Sequence, residues 1–365
     1  MSDADEFSND ADPMGLSRTY VLRLTAALSL IVLFSVALLL PVPYVTLKPG
    51  PAYDTLGDFG DQPMFTFGSD VTTYPTSGEL DFTTVSVTRA DGRVSLTDAM
   101  QAYFDRDVAV VPRNLVYPDG STAANSQAVA AAQLDGSKDS SRVAALRAAG
   151  YVVPGLPEVA EVAKDGAAAD VLKAGDLIRA VDGTAVDSSA AAVEAVSVRD
   201  PGESVSLAIT RGSTERTVDV ITKADRSDPT VPRIGITLGT TYDFPITIDN
   251  NVGREVGGPS AGAMFALAIY DRLTPGSLTG GRKIAGTGEI SAEGVVGSIG
   301  GIQQKIAGAA AAGATIFLVP EANCDEAMDG DTKNLRLVRV ATLEGAIDAL
   351  ELLAEDPKAK VPSCS

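Results

Sequence analysis

The run Tyr20–Leu40 (YVLRLTAALSLIVLFSVALLL) constrains this chain more than any other feature. As a helix its 21 residues are about 31 Å long, enough to cross the hydrocarbon core of a bilayer. Its single charge, Arg23, lies near the start, where a long side chain reaches the interface. Pro41 and Pro43 then stop the helix. A cleaved signal sequence would have a shorter apolar stretch followed by small residues. Here the run ends in Leu38-Leu39-Leu40-Pro41, so an uncleaved anchor is the expectation. Arg18 and Arg23 flank its beginning, and the next cation is Lys48. The positive-inside bias therefore places a polar, acidic and disordered tail (residues 1–18) in the cytoplasm. The rest of the chain then lies outside the cytoplasmic membrane.

Composition excludes several chemistries. The chain has 365 residues, room for two or three domains, and no histidine at all. Ser-His-Asp and Cys-His catalysis are impossible, and so is an HExxH metal site. Acid–base work falls to Lys, Asp, Glu, Tyr or a terminus. A net charge of −19 without any basic run argues against nucleic-acid binding and reads as a solubilising surface. Cys324 and Cys364 lack metal-ligand spacing, and no metal or cofactor is expected. Two alternatives stay open for them: a disulfide, if this region is exported, or two separate free thiols.

Along the chain, residues 44–75 read as an extended lead-in rich in Pro, Gly, Asp and Thr. Glu79–Thr88 reads as a strand and Leu96–Arg106 as a helix. Residues 121–149 are Ala-rich and helix-prone, with a break at Asp135-Gly136-Ser137. Residues 44–149 thus form an N-terminal ectodomain segment with no function assigned to it. From 150 to 224 the texture changes to short strands, one helix and tight glycine turns. A small-residue turn leads to LKAGDLIRAVDGTAV, then a helix over Ser188–Val198 and a closing hairpin. This order resembles a bacterial PDZ domain. The resemblance implies capture of extended peptide ends by strand addition. The expected edge strand runs around Pro157–Ala163 and includes Val159, with Gly155-Leu156 near the carboxylate loop. The alternative is a module that merely spaces the next domain from the membrane.

Residues 223–233 form a polar linker. Beyond it, alternating β and α patterns run from 230 to 354, with a short tail over 355–365. Ile234–Leu238 and Phe244–Ile248 read as strands and Pro259–Asp271 as a helix. In Gly257-Gly258-Pro259-Ser260-Ala261-Gly262 a glycine-rich loop delivers a serine to a helix start. Small neighbours admit a substrate backbone. The N–H groups of Ser260 and of Gly257 or Gly258 are candidates to hold an oxyanion. The plainer reading of Ser260 is a helix cap. Without histidine, lysine is the practical base for a serine. Lys305, 45 residues further on, sits in the first turns of an apolar, Ala-rich helix with no other charge. To act at neutral pH its pKa must fall from about 10.4 to about 7–8, a cost of roughly 4 kcal/mol. Burial and the positive end of a helix both push that way. Thr287 is the candidate hydroxyl to orient the amine.

The stretches GGPSAGAMFALAIYD and IAGTGEISAEGVVGSIGGIQQKIAGAAAAGATIFLVP resemble the proteolytic domain of Lon peptidases. That family carries Pro-Ser-Ala-Gly at its nucleophile and Gly-Gly-x-x-x-Lys at its base, which Ser260 and Lys305 match. Thr287 matches the threonine supporting the lysine. The fold implied is an α/β (α+β) Lon-type domain preceded by a β-rich PDZ-like domain and one transmembrane helix. Gly258 departs from the acid that ATP-dependent members often carry two residues before the serine. No GxxxxGK[ST] loop exists, so no ATP is expected. The layout of anchor, PDZ-like module and Lon-type domain resembles ATP-independent, membrane-bound Lon-like proteases. Protein or peptide substrates and a hexameric ring are what the resemblance implies. The alternative function is a catalytically silent binding or holdase protein on the same fold.

Overall fold

The computed structural model describes residues 18–364. The tail expected over residues 1–18 therefore lies, except for Arg18, outside the described residues. Arg18–Leu39 forms one 22-residue helix with no buried residue. Its most apolar window has a mean hydropathy of 2.3, so it is long and apolar enough to cross a membrane. It ends before Pro41, as the missing N–H of proline requires.

Six strands build the main sheet, in the order Arg336–Val340, Ile316–Pro320, Lys283–Gly286, Glu79–Val87, Tyr44–Asp54, Ala109–Pro112. The first four run parallel. Tyr44–Asp54 runs antiparallel to both its neighbours. Ile316–Pro320 is buried at every position, as a strand covered on both faces must be. On one face Leu80, Phe82, Ile284 and Leu318 pack with the helices Ala123–Ala148, Gly262–Leu273 and Leu343–Glu355. On the other, Ala285, Phe317 and Val319 pack with the helix Ile302–Ala311.

This architecture corrects the sequence reading in three places. Residues 44–149 are not a segment apart, because their strands complete the sheet begun by the C-terminal residues. Tyr44–Asp54 escaped notice because Pro49, Gly50 and Pro51 look like breakers. They form an irregularity in the register with Glu79–Val87, the place where a strand tolerates proline. The helix Ala123–Ala148 runs unbroken through Asp135-Gly136-Ser137. Buried Leu134 and Ser137 hold it against its neighbours, and packing outweighs the ~1 kcal/mol that Gly136 costs. Finally, Ile236–Tyr242 belongs to the second sheet, not to the main one.

That second sheet has the order Thr214–Ile221, Ser204–Arg211, Leu177–Val181, Gly155–Val162, Ile236–Tyr242. It packs with the helix Ser189–Ser197 around its own apolar core. The module is therefore inserted between the two halves of the main fold. Ile248–Asn250 returns the chain and pairs with Phe65–Phe67. At the C-terminus Cys324 and Cys364 form a disulfide, which settles the alternative left open above. The last residues lie along Arg336–Val340, with the Arg339 N–H donating to the Pro362 carbonyl.

The helix Ile302–Ala311 packs directly on Tyr44–Asp54. A Cβ on Gly308 would stand 2.7 Å from the Gly50 carbonyl oxygen. Gly308→Ala is expected to destabilise the fold by about 1–3 kcal/mol, as overpacking does. Gly136→Ala, where a Cβ meets nothing within 4 Å, is expected to stabilise it by about 0.5–1 kcal/mol. Urea midpoints at unchanged slope check both.

Candidate active site

Pro259, Ser260, Ala261 and Gly262 form a tight turn, closed by the Gly262 N–H donating to the Pro259 carbonyl at 3.2 Å. The helix begins at Gly262, three residues later than expected, and no side chain caps it. Ser260 thus stands at the corner of a turn rather than as a cap. The Thr287 hydroxyl (2.9 Å) and the Gly288 N–H (2.8 Å) both donate to its carbonyl. The serine Oγ is left to face the helix Ile302–Ala311.

That helix brings in Lys305, which is only 3% exposed. Its Nζ lies 2.9 Å from Ser260 Oγ, 2.9 Å from the Thr83 carbonyl oxygen and 3.1 Å from Thr287 Oγ1. None of these partners is charged. Burial therefore acts unopposed and brings the Lys305 pKa down to about 7. The neutral amine has two hydrogens. With these given to Thr83 and Thr287, its lone pair faces the Ser260 hydroxyl.

The structure brings together Ser260, Lys305 and Thr287 as expected. It separates the two glycines. The Gly258 N–H donates to the Ala130 carbonyl at 2.9 Å and is spent. The Gly257 and Ser260 N–H groups have no acceptor among the described residues. Beside them opens a cleft of about 580 Å³, walled by Thr83–Val87 and by Glu255–Gly258. Thr83 was missed because it acts through its main chain, which leaves no signature in a sequence.

The peptide-site expectation needs correction. Gly155–Val162 is not an edge strand, because Ile236–Tyr242 pairs antiparallel along it. Val159 is fully buried in the module's core. Gly155, Leu156 and Val159 do not line the module's groove. That groove, of about 700 Å³, lies between the helix Ser189–Ser197 and the segment Val231–Leu238. Ala190, Val193, Val196, Ile236 and Leu238 line it. Ile236–Tyr242 ends the sheet and leaves an edge free. Just before it, the Ile234 and Gly235 N–H groups have no acceptor among the described residues. Gly235 holds φ +76°, a backbone conformation that favours glycine. The signal in the sequence was Arg233-Ile234-Gly235-Ile236, a glycine opening a β-rich run.

Residues 252–350 match the Lon protease (S16) C-terminal proteolytic domain, and residues 141–222 match the PDZ domain family. The chain is 36% identical over 94 residues to a Lon protease of Clostridioides difficile (25% of this chain, 12% of that protein). It is 31% identical over 120 residues to Lon protease 2 of Bacillus subtilis (33% of this chain, 21% of that protein). It therefore spans between about a tenth and a fifth of the length of these curated relatives. Among solved structures, the PDZ domain of an SdrC-like protein from Listeria monocytogenes is 36% identical. The match covers 22% of this chain and 85% of that one, with a TM-score of 0.21. The chain carries a PDZ domain followed by a Lon-type proteolytic domain, preceded by one apolar helix.

The buried amine has a consequence for stability. From about pH 7 to the ordinary lysine range, the unfolded chain holds a proton on residue 305 that the folded chain lacks. More protons on the unfolded side means that stability rises with pH across this window. Below about pH 7 the full cost of burying the cation is present. Lys305→Met is expected to remove a slope of about 1.4 kcal/mol per pH unit. Denaturant midpoints for both proteins at pH 7.5 and 9 check this.

Proposed function

We propose that this chain is a serine endopeptidase in which Ser260 is the nucleophile and Lys305 its general base. The observation that carries the reading is the 2.9 Å approach of a buried amine to the Ser260 hydroxyl. Neutral Lys305 takes the hydroxyl proton as Ser260 Oγ attacks the scissile carbonyl, and later gives it to the leaving amine. Thr287 and the Thr83 carbonyl hold the amine in place. The unpaired Gly257 and Ser260 N–H groups are suited to the oxyanion. Water then releases the acyl-enzyme.

Substrate binding follows from the cleft. Lys283–Gly286 pairs with Glu79–Val87 only as far as Phe82. The edge of Thr83–Val87 beyond it faces the cleft and can pair with an extended peptide. The 365 residues carry no P-loop. Cleavage therefore proceeds without ATP-driven unfolding, and substrates are already extended: termini, loops or misfolded segments. The site lies outside the cytoplasmic membrane. The flanking arginines of the apolar helix support this, as does the Cys324–Cys364 disulfide, typical of oxidising compartments. A ring of identical subunits belongs to the same proposal by likeness to Lon peptidases. The groove beside Ile236–Tyr242 captures peptide ends, with the free Ile234 and Gly235 N–H groups placed to receive a terminal carboxylate.

Ser260→Ala and Lys305→Ala are each expected to lower cleavage of unfolded casein without ATP by at least about a thousandfold. Thr287→Val should lower it by roughly tenfold, one hydrogen bond to the amine. In the parent, kcat/KM should rise with pH through a single ionisation near 7, as Lys305 loses its proton. Full activity in either dyad variant would sink the assignment.

Val193→Asp puts a charge into the groove at an already half-exposed position. It is expected to weaken binding of peptides with an apolar C-terminus by about tenfold or more, read by fluorescence anisotropy. Leu156→Ala should leave binding unchanged.

A further inference from the structure

We propose that the helix Leu96–Phe104 lies in the lipid headgroup layer, with Met100, Tyr103 and Phe104 inserted beside the membrane span. The inference rests on reading Arg18–Leu39 as that span. It is independent of the peptidase reading.

The helix is short and two-sided. Ala99 and Ala102 are buried against the body of the protein. Met100, Tyr103 and Phe104, spaced so as to share one face, are 49%, 76% and 78% exposed. Asp98 and Gln101 point another way and line a polar cleft with Lys48 and Arg93. Three large apolar side chains facing water on a nine-residue helix are a cost that the protein's own core does not relieve.

The tether identifies what covers them. The Thr97 hydroxyl donates to the Leu38 carbonyl at 3.1 Å, and the Leu96 N–H to the Leu40 carbonyl at 3.2 Å. Pro41–Val42, directly after the span, pairs with Val94–Ser95, directly before the helix. The helix N-terminus is thus fixed to the last turn of the span. At about 100° per residue, Thr97 lies on the same side as Met100 and Phe104. The apolar face is therefore continuous with the apolar surface of the span. Nine residues reach about 13 Å, so the far end stays close to the bilayer boundary. Amphipathic helices with aromatic side chains bind at this depth, and tyrosine is enriched there.

The chain contains no tryptophan, so a single introduced one reports its own surroundings. The full chain is reconstituted in phosphatidylcholine–phosphatidylglycerol vesicles. Four variants are compared: Tyr103→Trp, Phe104→Trp, Leu30→Trp in the span and Val198→Trp on the PDZ module. Lipids brominated near the headgroup should quench Tyr103→Trp and Phe104→Trp by at least half, and more than lipids brominated near the chain ends. Leu30→Trp should show the reverse order, and Val198→Trp neither. If Leu30→Trp responds but the two helix positions stay open to aqueous acrylamide, the inference fails and the span stands. If those positions resist both quenchers, they are covered by protein, a second copy for example, and the inference also fails. If Leu30→Trp does not respond, the span reading fails and takes the inference with it.

Discussion

The chemistry proposed for this protein depends on one desolvated amine. Lys305 is held by three oxygens, all uncharged: a carbonyl and two hydroxyls. A carboxylate in any of these places would favour the cation and raise the pKa. Without one, burial alone brings the lysine to about 7. The absence of histidine and the absence of an acid beside Lys305 are thus parts of one solution. In the proposed mechanism, a chain with no imidazole obtains a base for neutral pH by burying a strong one and withholding its counter-ion.

Keeping that amine buried draws on both halves of a divided fold. Lys305, Thr287 and Ser260 come from the stretch after the inserted module, but the Thr83 carbonyl comes from before it. The helix Ile302–Ala311 reaches its depth because Gly308 meets the backbone at Gly50. The N-terminal residues are therefore structural members of the candidate active site. This is the physical reason why a match confined to residues 252–350 contains Ser260 and Lys305 but not the whole pocket that holds them.

The legible part of the site was the part carried by side chains in glycine-rich frames. Ser260 and Lys305 stood out because a candidate nucleophile and a candidate base need specific residue types, and Thr287 because an amine can be oriented by a hydroxyl. The Thr83 carbonyl and the spent Gly258 N–H were invisible, since every residue type supplies the same main-chain groups. The PDZ strands were readable from their turns, but their pairing was not. Ile236–Tyr242 covers Gly155–Val162 across some 80 residues of chain, and local pattern carries no information about so distant a partner. Tyr44–Asp54 hid for the opposite reason: its prolines obey a rule for bulged strands that outwardly mimics a loop.

The insertion point of the PDZ module has a mechanical meaning. The helix Ala123–Ala148 leads into that module and also grips, along its length, the segment that ends at Ser260. Ala130 accepts from the Gly258 N–H, and the Ser137 hydroxyl donates to the Pro259 carbonyl at 2.9 Å. Lys138 donates to the carbonyls of Asn250 and Val252, and Arg142 to that of Ile248. Near its end Arg147 bridges Ala292 in the proteolytic fold and Val153 at the edge of the module. Apart from those of Arg147, these bonds run from one helix to main-chain groups of residues 248–259. The helix therefore fixes much of the loop's main chain, and the loop fits it with Gly257 close against Ala130 and Gly258 at φ +89°. The loop that carries Ser260 is thus held by a helix whose C-terminal turn is itself bonded, through Arg147, to the main chain at Val153, where the module begins.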